Sequence, residues 1–299
     1  MWNKRIFISS TGRTGTQFFA KYMHEMIRDS VSLHEPGTPW FSKPKQLLGQ
    51  VKEYGIYHLS VGQGKNTHSM YKLSRDYIAG EISREDACKN IIAINEQVDR
   101  LYPADVTVYS SGHIYGLMEL LDSVYKNSRF VFIIRDPREW ITSALNKIEY
   151  SLYGPIEIFY RKISLQPSCY EDDPYLQEWN HFSKFEKYCW FYEKLNTHVM
   201  KEMQGKENFR VFRYEDLFLG EDKVEHFGGL LEFATEFQDG SIPHQYCPET
   251  ISNKVDSKKN SSTWESWTPE QVKIMHRHCG ALMQEYGYGQ ENMWQDKLL

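Results

Sequence analysis

The sequence predicts an α/β fold: a single domain with a central parallel sheet of about five strands flanked by helices. Three observations carry this. Short apolar runs of strand length recur at 6–8, 31–35, 106–111, 130–134 and 209–214. Segments with apolar residues at helical spacing separate them. Each run ends in polar or charged residues, namely Arg13, His34 with Glu35, His113, Arg135, and Arg213 to Asp216. Alternating strands and helices imply a parallel sheet, and ligands in such sheets sit beyond the carboxyl ends of the strands.

The first run is Ile6, Phe7 and Ile8, followed by small residues and then Phe18, Phe19, Tyr22, Met23, Met26 and Ile27 at helical spacing. Residues 31–35 read as a second strand, stopped by Pro36 and Gly37. Residues 36–68 are rich in Gly, Pro and aromatics, too long for a plain connection, and are expected to form a functional loop or cover. Ser83 and Asp86 suit a helix start, with Ala87, Ile91, Ile94, Val98 and Leu101 as its apolar face. The strand at 106–111 is followed by a helix carrying Leu117, Leu120, Leu121 and Val124. The run at 130–134 is the clearest buried strand. A helix with Trp140, Ile141, Ala144, Leu145 and Ile148 follows it. Residues 151–180 read as irregular and aromatic. A long helix then places Phe182, Phe185, Tyr188, Cys189, Tyr192, Leu195 and Val199 on one side. The fifth strand spans 209–214, residues 238–262 read as polar loop, and a last helix runs from Thr268-Pro269 to Gly287.

Composition narrows the class. The chain has 299 residues, 40% hydrophobic and 25% charged, ordinary values for a globular protein. Lys and Arg number 35 against 40 Asp and Glu, for a formal charge of −5, which does not suggest nucleic-acid or membrane-surface partners. Cys88, Cys169, Cys189, Cys247 and Cys279 are scattered, so neither a zinc site nor a disulfide framework is expected. No apolar run approaches the ~18–20 residues needed to cross a bilayer. The N-terminal residues run directly into the first strand, which predicts no signal peptide and a cytoplasmic location. Asn260-Ser261-Ser262 matches a glycosylation sequon and reads as chance in that setting.

The stretch from Gly12 to Gln17 reads as an anion site. Gly12 and Gly15 allow close approach of backbone N–H groups to a phosphate, and the following helix contributes unpaired donors and partial positive charge. Arg13 adds a fixed cation, and Thr14, Thr16 and Gln17 add side-chain donors. The ATP-binding loop needs a Gly, four intervening residues, and then Gly-Lys followed by Ser or Thr. Here the two glycines are closer, and Thr16 follows Gly15 where Lys would be. An ordinary glycine-containing turn is the competing reading.

Three segments resemble the sulfotransferase family that uses 3'-phosphoadenosine 5'-phosphosulfate (PAPS). Arg13-Thr14-Gly15-Thr16-Gln17 is similar to that family's 5'-phosphosulfate loop. Arg135, followed eight residues later by Ser143, matches its 3'-phosphate pair. Tyr214-Glu215-Asp216-Leu217 matches a segment late in its sheet, and the run from Trp264 to Tyr288 looks like the end of many bacterial members. The resemblance implies a sulfotransferase (P-loop-like) fold over 1–299, with acceptor-side insertions around 36–100 and 151–205. It implies PAPS as co-substrate, PAP as product, a small-molecule acceptor with a hydroxyl or amine, and no metal. Gly12, Arg13, Thr14, Gly15, Thr16 and Gln17 would hold the 5'-phosphate, Arg135 and Ser143 the 3'-phosphate. Tyr214, Lys258 and Lys259 would also face the nucleotide. Arg13 replaces the Lys of most cytosolic members, and Ser111 replaces a Lys that those members carry two residues before the catalytic His.

Two residues compete as general base. Glu35 matches the catalytic Glu of carbohydrate-modifying and some bacterial members. His113, 22 residues before Arg135, matches the His of the cytosolic small-molecule branch. Glu35 is slightly preferred, and His34 is expected to point to the opposite face, because strand neighbours alternate. The rival functions are a nucleotide kinase-like phosphotransferase, which would need the absent loop Lys and Mg²⁺ ligands, and a non-catalytic nucleotide-binding module.

Overall fold

In the computed structural model the described residues are 4–36, 44–45, 48, 51–52, 70–146, 164–246, 248–251 and 263–299. Five strands form the sheet: β1 (Lys4–Ser10), β2 (Ser30–His34), β3 (Val106–Ser111), β4 (Ser128–Ile134) and β5 (Phe209–Arg213). They are parallel throughout, in the order β2-β3-β1-β4-β5. β1 is therefore central, with β3 and β4 on either side, and the loops leaving these three strands meet at one edge.

The helices, in chain order, are α1 (Thr16–Met26), α2 (Met70–Ile78), α3 (Arg84–Leu101), α4 (Met118–Val124), α5 (Pro137–Leu145) and α6 (Lys184–Met203). After β5 come α7 (Tyr214–Phe218), α8 (Lys223–Thr235), α9 (Pro248–Ile251), α10 (Pro269–Glu285) and α11 (Asn292–Leu298). A two-residue antiparallel pair, β6 (Glu236–Phe237) with β7 (Gly240–Ser241), follows α8.

The pleat divides the core in two. Ile6, Ile8, Val106, Val108, Val131 and Ile133 point to the face covered by α1 and α8. Phe7, Tyr109, Phe130, Phe132 and Ile134 point to the other face, under α2 to α6, α10 and α11. Because both faces are covered, β4 reads as a continuous apolar run. Each fully buried Phe or Ile of these rows stabilises the sheet by about 1.5–3 kcal/mol.

Helix starts follow their caps. Ser83 accepts from the Asp86 amide at 3.1 Å, and Ser183 accepts from the Glu186 amide at 3.1 Å. Thr268 and Gln271 form a reciprocal capping box ahead of Pro269.

The expected parallel sheet of about five strands with flanking helices is present. Details differ. β2 stops at His34, because Glu35 turns to φ 47°. Tyr214, expected to end the fifth strand, opens α7 instead. Leu101, expected in the core, is 39% exposed, since it lies in the last turn of α3. The helices α2, α8 and α11 were not expected, and the polar stretch at 238–262 contains β7 and α9 among its described residues. Most of the expected cover at 36–68, and the first part of the irregular stretch at 151–180, lies outside the described residues.

His278 on α10 is buried without a hydrogen bond at Nε2 among the described residues, 3.5 Å from Glu186, whose carboxylate is also bound by Arg277. Burial first, then Arg277 and Lys194 against the opposing Asp173, pushes its pKa down to about 4. The unfolded chain therefore takes up a proton below the ordinary value of 6.5 that the fold refuses. The associated stability is full above that value and is lost as pH falls toward 4. The loss is about 3 kcal/mol. His278→Gln should flatten this acid limb in urea denaturation measured across pH, and an unchanged limb would assign the loss to other groups.

Candidate active site

The loop after β1 is held in an unusual backbone path. Gly12, Arg13 and Gly15 all adopt left-handed φ, at 77°, 57° and 85°. For Arg13 this costs roughly 1–2 kcal/mol. Neighbouring donors sustain it. Trp140 Nε1 on α5 donates to the Gly12 carbonyl at 2.9 Å. Arg135 donates from a terminal nitrogen to the Arg13 carbonyl at 2.8 Å. Both carbonyls are thus turned toward β4 and α5.

Inside the loop, Ser10 Oγ accepts from the Gly12 amide at 3.0 Å and from Thr14 Oγ1 at 2.5 Å. Thr14 is fully buried, so its hydroxyl and the Gly12 amide serve the loop itself rather than an open face. Gly15 is the N-cap of α1 and offers no side-chain cap to the first-turn amides. A Cβ at Gly15 would lie 3.4 Å from the Phe218 ring. Thr16 Oγ1 lies 3.3 Å from His34 Nε2, and the Thr16 carbonyl accepts from Ser110 at 2.8 Å. Gln17 is half-buried beside it.

Arg13, Arg135 and Ser143 converge. Arg13 Nε donates to Ser143 Oγ at 3.1 Å, across 130 residues of sequence. The Arg135 guanidinium lies 4.7 Å over the Tyr214 ring and 3.7 Å from Glu139, whose pKa burial pushes up. Arg135 Nε is buried and has no hydrogen-bond partner among the described residues. Lys258 and Lys259 lie outside the described residues.

Glu35 and His113 are also brought together. Glu35 Oε1 accepts a long hydrogen bond from the Gly112 amide at 3.4 Å. Its Oε2 is 3.8 Å from His113 Nδ1 and 3.9 Å from His34 Nδ1. His34 therefore lies beside Glu35 rather than on the far face, because the left-handed turn at Glu35 breaks strand alternation. The His113 ring stacks on Tyr71 at 4.4 Å. Its backbone is fixed at both ends, by Ser111 Oγ accepting from its amide at 3.0 Å and Ser74 donating to its carbonyl at 2.5 Å. Gly112 joins the two halves of the site. A Cβ there would lie 3.2 Å from the Gly12 backbone and 3.7 Å from Glu35 Oε1, so no larger residue fits without displacement.

Trp140, Tyr71, Gly112 and Phe218 join the site without having been singled out for it from sequence. The strand-end position of Gly112 was the one available signal. A cavity of about 340 Å³ opens elsewhere, beside β5, lined by Phe212, Arg213, Asp216, His226, Glu285 and Tyr286 among others.

A central β1 ending in a small-residue loop, flanked by the polar ends of β3 and β4, defines a parallel α/β protein whose candidate site lies at the carboxyl edge of the sheet. No family model matches the chain, and no curated protein matches it. Among solved structures it is similar to a sulfotransferase from Alicyclobacillus acidocaldarius, at 11% identity and a TM-score of 0.50, over 99% of this chain and 100% of that one. A mouse sulfotransferase complexed with PAP is similar at 12% identity and a TM-score of 0.47, over 99% of this chain and 89% of that one. The chain is built on the sulfotransferase fold, as its sequence resemblance implied.

Trp140→Phe should remove the donor to the buried Gly12 carbonyl while keeping an aromatic ring. The expected cost is about 1–3 kcal/mol, read from the urea midpoint. A change below ~0.5 kcal/mol would mean that another donor serves Gly12.

Proposed function

We propose that the chain is a PAPS-dependent sulfotransferase that transfers a sulfuryl group to a hydroxyl or amine of a small-molecule acceptor. The observation that carries this is the convergence of Arg13, Ser143 and Arg135 at the edge of β1 and β4. Two further features fit the co-substrate. The buried Arg135 Nε, without a partner among the described residues, suits a phosphate oxygen. The α1 N-terminus, without a side-chain cap, suits a second one. A cytoplasmic location belongs to the same proposal.

When bound, PAPS would supply an activated sulfuryl group on a phosphate leaving group. Arg13, with Gly15, Thr16 and Gln17, would hold the 5'-phosphate and stabilise the charge growing on it. Arg13 acts there as a fixed cation, since a guanidinium does not give up its proton. Arg135 and Ser143 would hold the 3'-phosphate, and Tyr214 would face the nucleotide beside Arg135. Glu35 would take the acceptor proton at Oε2, with Oε1 anchored on the Gly112 amide. His113, stacked on Tyr71, would orient the acceptor.

PAP should bind with micromolar affinity or better. At a hundredfold excess over Kd it should stabilise the fold by about 2.7 kcal/mol in thermal unfolding. ATP with Mg²⁺ should stabilise it less. Equal stabilisation by ATP and none by PAP would favour the phosphotransferase reading instead.

The assignment of the base predicts a split between kinetic constants. Glu35→Gln should lower kcat by about 10²–10⁴-fold with PAP affinity nearly unchanged. His113→Ala should cost less and act mainly on KM for the acceptor. The reverse pattern would make His113 the base.

A further inference from the structure

We infer that Tyr192 and Glu215 are positioning residues that aim Arg135 by pinning a single peptide group. The inference rests on the reading of Arg135 as a phosphate-binding residue.

The peptide joining Arg135 to Asp136 is gripped at both of its polar atoms. The Tyr192 hydroxyl, from the middle of α6, donates to the Arg135 carbonyl. The Asp136 amide donates to Glu215 Oε1, from the start of α7, at 3.0 Å. Since a peptide is planar, holding both atoms fixes ψ of Arg135 and φ of Asp136. The direction in which the Arg135 side chain leaves the end of β4 is fixed with them.

Each clamp is itself held. Tyr192 is fully buried, and burial raises its pKa well above the ordinary phenol value, so it remains a donor. Glu215 Oε2 accepts from the Tyr288 hydroxyl at 2.8 Å. The Asp136 carboxylate accepts from the Arg138 amide at 2.9 Å and from the Arg138 guanidinium, which also reaches Glu291 at 3.0 and 2.9 Å. The peptide therefore cannot turn without breaking its bonds to α6 and α7, and the Glu215 and Asp136 side chains are held in turn by Tyr288 and Arg138.

A carboxylate this close to a phosphate site would repel the ligand if its charge faced the site. Glu215 avoids this by spending one oxygen on an amide and the other on a phenol. From the pinned base, the Arg135 guanidinium reaches the Arg13 carbonyl and the Tyr214 ring, leaving Nε without a partner among the described residues.

The test is a double-mutant cycle on PAP affinity, measured by calorimetry, with adenosine 5'-phosphosulfate as the control that lacks a 3'-phosphate. Tyr192→Phe and Glu215→Leu should each weaken PAP by about tenfold, the scale of one hydrogen bond. They should weaken the control by less than about twofold. Glu215→Gln keeps an oxygen for the Asp136 amide and should bind PAP nearly as the wild type does. Combined with Arg135→Ala, neither Tyr192→Phe nor Glu215→Leu should weaken PAP further, because their effect runs through that arginine. A merely structural role would give additive losses, or equal losses on both ligands, and either result overturns the inference. If Tyr192→Phe does not fold, Glu215→Leu carries the same cycle. If the wild type binds no PAP, the sulfotransferase reading fails, and the cycle is run with inorganic pyrophosphate. Non-additive loss there sustains the pin, while additive loss or no binding overturns it.

Discussion

Two carbonyl oxygens decide the geometry of the site. In a loop with left-handed φ at Gly12, Arg13 and Gly15, the carbonyls of Gly12 and Arg13 could face an incoming anion and repel it. They are instead bound by Trp140 and Arg135. The strain at Arg13 is roughly 1–2 kcal/mol. One neutral and one charge-assisted hydrogen bond contribute about 0.5–1.5 and 1.5–3 kcal/mol. The bonds outweigh the strain, so the loop keeps this path without a ligand. Both donors come from the same junction, where β4 passes into α5. The central place of β1 beside β4 is what lets one junction serve the loop.

The same junction gathers negative charge that could have spoiled an anion site. Asp136, Glu139 and Glu215 all lie close to Arg135. Asp136 is paired with Arg138, a buried cation that it shares with Glu291. Glu215 is turned onto an amide and a phenol. Glu139 is the weak point, 3.7 Å from Arg135, and burial raises its pKa. An Arg in this setting keeps its charge available because the nearby carboxylates have other partners. The whole chain carries a formal charge of −5, so under the proposed function the attraction for a phosphate is local to these few residues.

The features that were legible in the sequence are those that physics writes locally. Strand runs at 106–111 and 130–134, the caps at Ser83 and Thr268, and the small-residue loop after β1 each follow from neighbouring residues. Helix α8 was missed because Gly228 and Gly229 interrupt its interior, although Phe227, Leu230, Leu231 and Ala234 keep helical spacing. Helix α11 has only seven residues and a single buried apolar anchor, Trp294. The site was legible as a set of strand ends but not as a set of bonds. Trp140 meets Gly12 across 128 residues, and Arg138 meets Glu291 across 153. No local pattern announces such pairs. His34 was misjudged for a different reason: alternation holds only while the strand lasts, and the chain leaves it at Glu35.

That departure also shapes the chemistry open to Glu35. By leaving the strand, its carboxylate comes to rest between His34 and His113, at 3.9 and 3.8 Å. These distances are too long for direct hydrogen bonds, so the Gly112 amide, at 3.4 Å, is the group that orients the carboxylate. Under the proposed roles both residues act on one acceptor, so substitutions at Glu35 and His113 should not add in kcat. Identifying the base then depends on which single variant moves the limb of the pH–rate profile, more than on which loses more rate.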